Sequence, residues 1–171
     1  MAIHKILYLP DPRLREISKP VVTFDDKLQT LIDDMFDTMY DAHGVGLAAP
    51  QIGICLRLSV IDVVGDKKDQ IVIINPDIIA SEGEKKFDEG CLSVPGAFDT
   101  VIRAEKVTVK ALDRHGKPFE IKAEGLLAEC LQHEIDHLNG KLFIDMLSPL
   151  RKAIARKKLD KFKRQQTRGK S

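Results

Sequence analysis

His133 and His137 stand four residues apart in "LAECLQHEIDHLNG" (residues 127–140), with Glu134 directly after the first histidine. Side chains at this spacing leave one face of a helix, about 6 Å apart along its axis, so both imidazoles can turn toward one metal ion. The adjacent carboxylate then reaches a water on that ion and can serve as its general base, the recurrent use of His-Glu-x-x-His. The leucines around them predict a buried helix, where three ionisable groups are costly unless something pairs with them. A single buried histidine is commonly a hydrogen-bonded core residue. Two of them beside a carboxylate argue for an ion that offsets the cost.

A catalytic ion of this kind takes a third protein ligand and keeps one position open. The chain has three cysteines, Cys55, Cys91 and Cys130, an odd and widely spaced set that suits a reducing compartment better than a disulfide framework. Cys130 lies seven residues from His137, about 10 Å of helical rise, so one straight helix cannot supply all three donors. It reads as a small apolar wall residue. Cys91 sits in "DEGCLSVPG", where Gly90 and Pro95 mark an irregular turn able to present a thiolate and backbone N–H groups. It is the better third ligand, with a buried structural cysteine as the alternative. Cys55, in "GICLRLSV", reads as strand core.

These groups need elements to hold them. Leu28, Leu31, Ile32, Met35, Phe36 and Met39 form the stripe of an amphipathic helix from Asp25 to about Tyr40. "HGVGLAAPQIG" (43–53), with three glycines and a proline, is expected to be loop-like. Strands are expected at 56–63, 70–76, 106–113 and 118–123, the last two joined by "DRHGK", a hairpin signal with Gly116 at a turn position. Residues 125–138 are apolar on nearly every face, and Gly140 offers the stop. Strands grouped between helices predict an α+β fold, with mainly antiparallel sheets surrounding the helix that carries HExxH. "PDPRLREIS" is expected as a turn or short helical piece.

Three stretches in order make the sequence resemble the peptide deformylases: "GVGLAAPQ" (44–51), "EGCLS" (89–93) and "QHEIDH" (132–137), with similar flanks over roughly residues 6–148. The resemblance implies a hydrolase that removes the N-formyl group from the initiator methionine of new polypeptides and releases formate. It implies Cys91, His133 and His137 as metal ligands and Glu134 as general base, then acid. Gln51 and the Leu92 backbone N–H would serve the oxyanion. It implies a strand-like peptide-docking edge at Val45, Gly46 and Gly90, and a methionine pocket at Phe87, Leu126, Glu129 and Cys130. Glu129 departs from the apolar residue often found there, and Phe98 stands where relatives have an arginine. Donor chemistry alone favours Zn²⁺. The resemblance implies Fe²⁺, with Zn²⁺, Ni²⁺ or Co²⁺ as substitutes. His43 is expected on the exposed loop, with a place at the cleft as the alternative; His4 and His115 read as surface residues.

Charge divides the chain. Residues 151–171 hold ten Lys/Arg and one acid, Asp160, a net of +9, while the remainder carries −8. Leu147, Leu150, Ile154, Ala155, Leu159 and Phe162 suggest an amphipathic helix from Pro149 that frays after about Arg164. The expected division is a catalytic domain at 1–148 and a basic helical extension at 149–171. Such an arm can dock on RNA by releasing condensed counterions, and resembling bacterial enzymes use one to sit on the ribosome near the nascent-chain exit. Its removal is expected to weaken that docking and spare activity on a short formyl peptide. The chain has 43% hydrophobic and 31% charged residues and no apolar run near the ~20 residues that span a bilayer. The N-terminus lacks a signal-peptide pattern. A cytoplasmic monomer is therefore expected. The rival readings are a zinc metallopeptidase of HExxH type and a non-catalytic, ribosome-associated metal-binding protein.

Overall fold

In the computed structural model, which describes residues 2–168, the first helix, α1, spans Asp26–Asp41. The Asp25 carboxylate caps it by accepting from the Leu28 N–H at 3.0 Å. Its apolar stripe buries Leu28, Ile32, Met35, Phe36 and Met39. His43 then takes a positive φ of 58°, and the Gly44 N–H returns to the Met39 carbonyl at 2.9 Å.

Five strands form one sheet: β1 (Gly46–Ala48), β2 (Leu58–Ile61), β3 (Ile71–Glu82), β6 (Lys106–Leu112) and β7 (Pro118–Glu124). Their order is β1-β2-β3-β6-β7, and each pairing is antiparallel. A separate two-stranded ribbon joins β4 (Lys85–Gly90) to β5 (Phe98–Arg103). The remaining helices are α2 (Gly125–Leu138) and α3 (Pro149–Arg168). The architecture is α+β with antiparallel sheets. Residues 169–171 of the expected extension lie outside the described residues.

The four residues of β2, Leu-Ser-Val-Ile, are all buried because a helix covers each face of the sheet there. Alternation sends Leu58 and Val60 into the cluster with α1, whereas Ile61 joins Val107, Val109, Leu131 and Ile135 beneath α2. A half-buried strand would have shown polar alternation. This run does not.

Three local readings change. Gly46–Ala48, expected as loop, is a strand because it pairs with Ser59–Ile61, and Ala49–Ile52 closes into a short 3₁₀ turn. β3 continues past Asn75 and Pro76 to Glu82. A register shift between Ile74 and Asp77 absorbs the proline as the strand extends along β6. The β4–β5 ribbon escaped the strand expectations because "KKFDEG" is mostly charged. Its inward residues are Phe87 and Glu89.

α3 is held by fewer side chains than its expected stripe. Ala155 and Leu159 are buried with Leu7, Leu9, Val94, Ala97, Phe143 and Leu147, but Leu150 and Ile154 are 72% and 44% exposed. The helix therefore packs directly on the body containing Cys91.

Candidate metal centre

α2 brings His133 and His137 together at the spacing its periodicity dictates, with their Nε2 atoms 3.1 Å apart. Cys91 follows β4 in a tight turn, where the Val94 N–H donates to its carbonyl and the Ser93 N–H to its Sγ at 3.4 Å. That turn places Sγ 3.3 Å from His137 Nε2. The three donor atoms lie within 4.8 Å of one another, and no fourth His, Cys, Asp or Glu joins them among the described residues. This is a possible metal site. Two imidazole nitrogens and one thiol sulfur fit a transition-metal ion that keeps an open position.

The imidazoles are oriented from behind. His133 Nδ1 lies 2.5 Å from Glu89 Oε1, which turns Nε2 toward the other two donors. Glu89 is itself gripped bidentately by Arg103, Nε to Oε2 at 2.6 Å and Nη2 to Oε1 at 2.7 Å, and Arg103 Nη1 continues to Asp136 at 2.9 Å. Burial alone would raise the Glu89 pKa, but hydrogen bonds from Arg103 and His133 bring it below the usual value. Burial, then the neighbouring His133, holds His137 well below an ordinary histidine. The Glu89–Arg103 brace had one sequence signal, an acid two residues before Cys91. Arg103 stands on another strand, and no local spacing links the two.

Glu134 is buried, and its Oε1 has no hydrogen-bond partner. Burial is the main cause that pushes its pKa up to about 7. Gly46 makes room for it: a Cβ there would stand 2.5 Å from Glu134 Oε2 and 2.9 Å from Cys130 Sγ. Gln51 is also buried, not an exposed loop amide. Its Oε1 accepts from the Ala48 N–H at 2.9 Å, and its Nε2 donates to Ser93 Oγ at 3.1 Å with Cys91 Sγ at 3.7 Å. The Leu92 N–H makes no hydrogen bond among the described residues.

A cleft of about 570 Å³ opens over this centre. Its walls bring together Val45, Gly46, Gln51, Gly90, Cys91, Leu92, Leu126, Glu129, Cys130, His133 and Glu134. Phe87 is not among them. It is only 7% exposed on β4, with the Lys85 ammonium 5.5 Å from its ring centroid. His43 does border the cleft, as do Tyr8, Phe98 and Phe162. Phe162, from α3, meets Tyr8 edge-on with ring centroids 5.9 Å apart. No site motif in the sequence contains either residue. Cys55 lies outside β2, half-buried, with Sγ 3.4 Å from the Ile17 carbonyl.

The chain is similar to known proteins over nearly its whole length. The family model for polypeptide deformylase matches residues 3–153. The peptide deformylase of Azotobacter vinelandii is 57% identical over 166 residues, covering 96% of this chain and 99% of its own. A crystal structure of a peptide deformylase from Legionella pneumophila superposes with a TM-score of 0.97 at 80% identity, covering 98% of this chain and 99% of that one. A peptide deformylase from Ehrlichia chaffeensis in complex with actinonin gives a TM-score of 0.88 at 40% identity, covering 96% and 98%. The chain belongs to the polypeptide deformylase family, hydrolases that remove the N-formyl group from newly made polypeptides.

Proposed function

We propose that Cys91, His133 and His137 hold one divalent ion, and that Glu134 works beside it in deformylation of formylmethionyl peptides. The observation that carries this reading is the convergence of two Nε2 atoms and one Sγ within 4.8 Å, next to an unpartnered buried carboxylate oxygen in an open cleft. The ion would polarise the formyl oxygen and acidify a water molecule. Glu134 is the residue that would take a proton from the attacking water and return it to the departing nitrogen. A pKa raised to about 7 suits both directions near neutral pH. In this reading Gln51 Nε2 and the Leu92 N–H donate to the developing oxyanion, each worth about 10²–10³ in rate.

Substrate binding follows from the fold. β1 is the edge strand of its sheet, paired with β2 on one side only. Its free side at Gly46, with Val45 just before it and Gly90 also lining the cleft, can take an extended peptide by strand addition, which tolerates varied sequence. Leu126, Glu129 and Cys130 wall the space for the first side chain, and Phe87 is left out of that set. Resemblance to deformylases favours Fe²⁺ as the resident ion, with Zn²⁺, Ni²⁺ or Co²⁺ able to replace it. An HExxH metallopeptidase usually takes a downstream acid or histidine as third ligand, whereas here an upstream cysteine fills that place. A purely structural ion would normally have four protein ligands.

Residues 1–148 carry the chemistry, and the helix after them carries positive charge outward. Arg156, Lys157, Lys158, Lys161 and Arg164 are all exposed, which suits docking on ribosomal RNA near the exit of the nascent chain. A cytoplasmic monomer meets the needs of this function, and no helix among the described residues is long and apolar enough to cross a membrane.

The test is formate release from formyl-Met-Ala by anaerobically purified protein. The expected result is metal-dependent turnover that Glu134→Ala lowers by about 10²–10⁴ with the ion still bound. Hydrolysis of internal peptide bonds without formate release would overturn the reading.

A further inference from the structure

Along α2, Leu126, Glu129, Cys130 and His133 stand three and four apart and share the face that lines the cleft. Leu126 is half exposed at the mouth, and His133 belongs to the metal centre. Glu129 lies between them, about 6 Å of helical rise from His133. The residue as a whole is only 8% exposed, and its side chain lines the open cleft without a hydrogen bond or ion pair to another side chain among the described residues. The other buried carboxylates are accounted for. Glu89 has Arg103 and His133, Asp34 has His4, Asp62 has Tyr40, and Glu134 has the reaction. A carboxyl group that has no protein partner and faces a substrate cleft leaves its bonding capacity for water or a ligand.

We propose that Glu129 is a specificity-determining residue that hydrogen-bonds a polar first side chain, so that the cleft accepts N-formyl methionine sulfoxide as well as N-formyl methionine. This rests on the reading of Leu126, Glu129 and Cys130 as the wall of the first side chain's pocket. Oxidation turns the thioether into a polar sulfoxide whose oxygen is a hydrogen-bond acceptor. A wholly apolar slot rejects that oxygen because it must be desolvated without a partner. A carboxyl group in its protonated form donates one O–H and removes the penalty. Burial, and then the negative charge of Glu89, raise the Glu129 pKa to about 7, so the donating form is present at and below neutral pH. The same negative field works against an acidic first side chain.

The experiment compares kcat/KM for formyl-methionine-sulfoxide-Ala with that for formyl-norleucine-Ala, an isostere that can accept no hydrogen bond from the pocket. Metal-loaded wild type, Glu129→Leu and Glu129→Gln are measured together. The sulfoxide-to-norleucine ratio should fall about tenfold in Glu129→Leu, the worth of one hydrogen bond. It should stay within about threefold of wild type in Glu129→Gln, because the amide also donates. Calorimetric binding of the two product dipeptides should give the same ordering without turnover. A ratio that Glu129→Leu leaves unchanged overturns the inference, as does one that falls equally in both variants. Failure of the deformylase reading is distinct, because wild type would then release no formate from formyl-Met-Ala either.

Discussion

α2 and α3 are the two helices richest in function-bearing side chains, and they place them in opposite ways. α2 is buried along nearly its whole length, and most of its polar groups have a fixed neighbour: His137 meets Cys91, His133 meets Glu89, Asp136 meets Arg103, and Gln132 meets Ala104. α3 turns two buried side chains inward and leaves its Arg and Lys side chains largely in water. In low dielectric each charge must be matched individually, so position decides what a group does. In water, charges act as a screened sum, and no single one decides much. The difference teaches where a substitution will act on chemistry and where it will act only on association.

The largest break in that contrast comes from removing the divalent ion by chelation. Formate release should fall to background, and the thermal midpoint should drop because a ligand bound only by the folded state is lost. Refilling with Fe²⁺ under anaerobic conditions should restore both. Next comes Gly46→Ala, far from any titratable change of its own. Its methyl group would displace Glu134 and Cys130, so kcat should fall on the order of 10²-fold while metal content, read by elemental analysis, stays at one per chain. Arg103→Met should act on stability first. It leaves the buried Glu89 carboxylate with only His133 as partner, which costs about 3–5 kcal/mol in denaturant unfolding and weakens metal retention about 10–100-fold.

The smallest effect on chemistry is expected at α3. Reversing Lys157, Lys161 and Arg164 to Glu should change kcat/KM on formyl-Met-Ala less than about twofold, since these side chains are exposed. Cosedimentation with ribosomes should fall steeply, and the salt dependence of binding should flatten by nearly one unit of log–log slope per lost contact. Unchanged cosedimentation would remove the docking role. Charge reversal is a cleaner probe than deleting 151–171, because deletion also removes Ala155 and Leu159 from a cluster shared with Val94 and Ala97, next to Cys91.

The sequence by itself determined what repeats along a single element. The bounds of α2, the shared face of His133 and His137, the apolar stripe of α1, the β6–β7 hairpin and the excess charge of α3 all follow from periods or local composition. Tertiary structure decided what depends on a partner distant in sequence. Glycine-rich Gly46–Ala48 becomes a strand only because β2 is there to pair with it. Cys91 is a ligand candidate because a turn after β4 carries its sulfur to α2, while Cys130, closer in sequence, points to the cleft wall. Phe87 is buried outside the cleft lining, Phe162 reaches the cleft from the far end of the chain, and Glu129 lines it without a side-chain partner. Periodicity fixes the direction of a side chain within its element, but burial and pairing belong to the space between elements, which no local stretch of residues encodes.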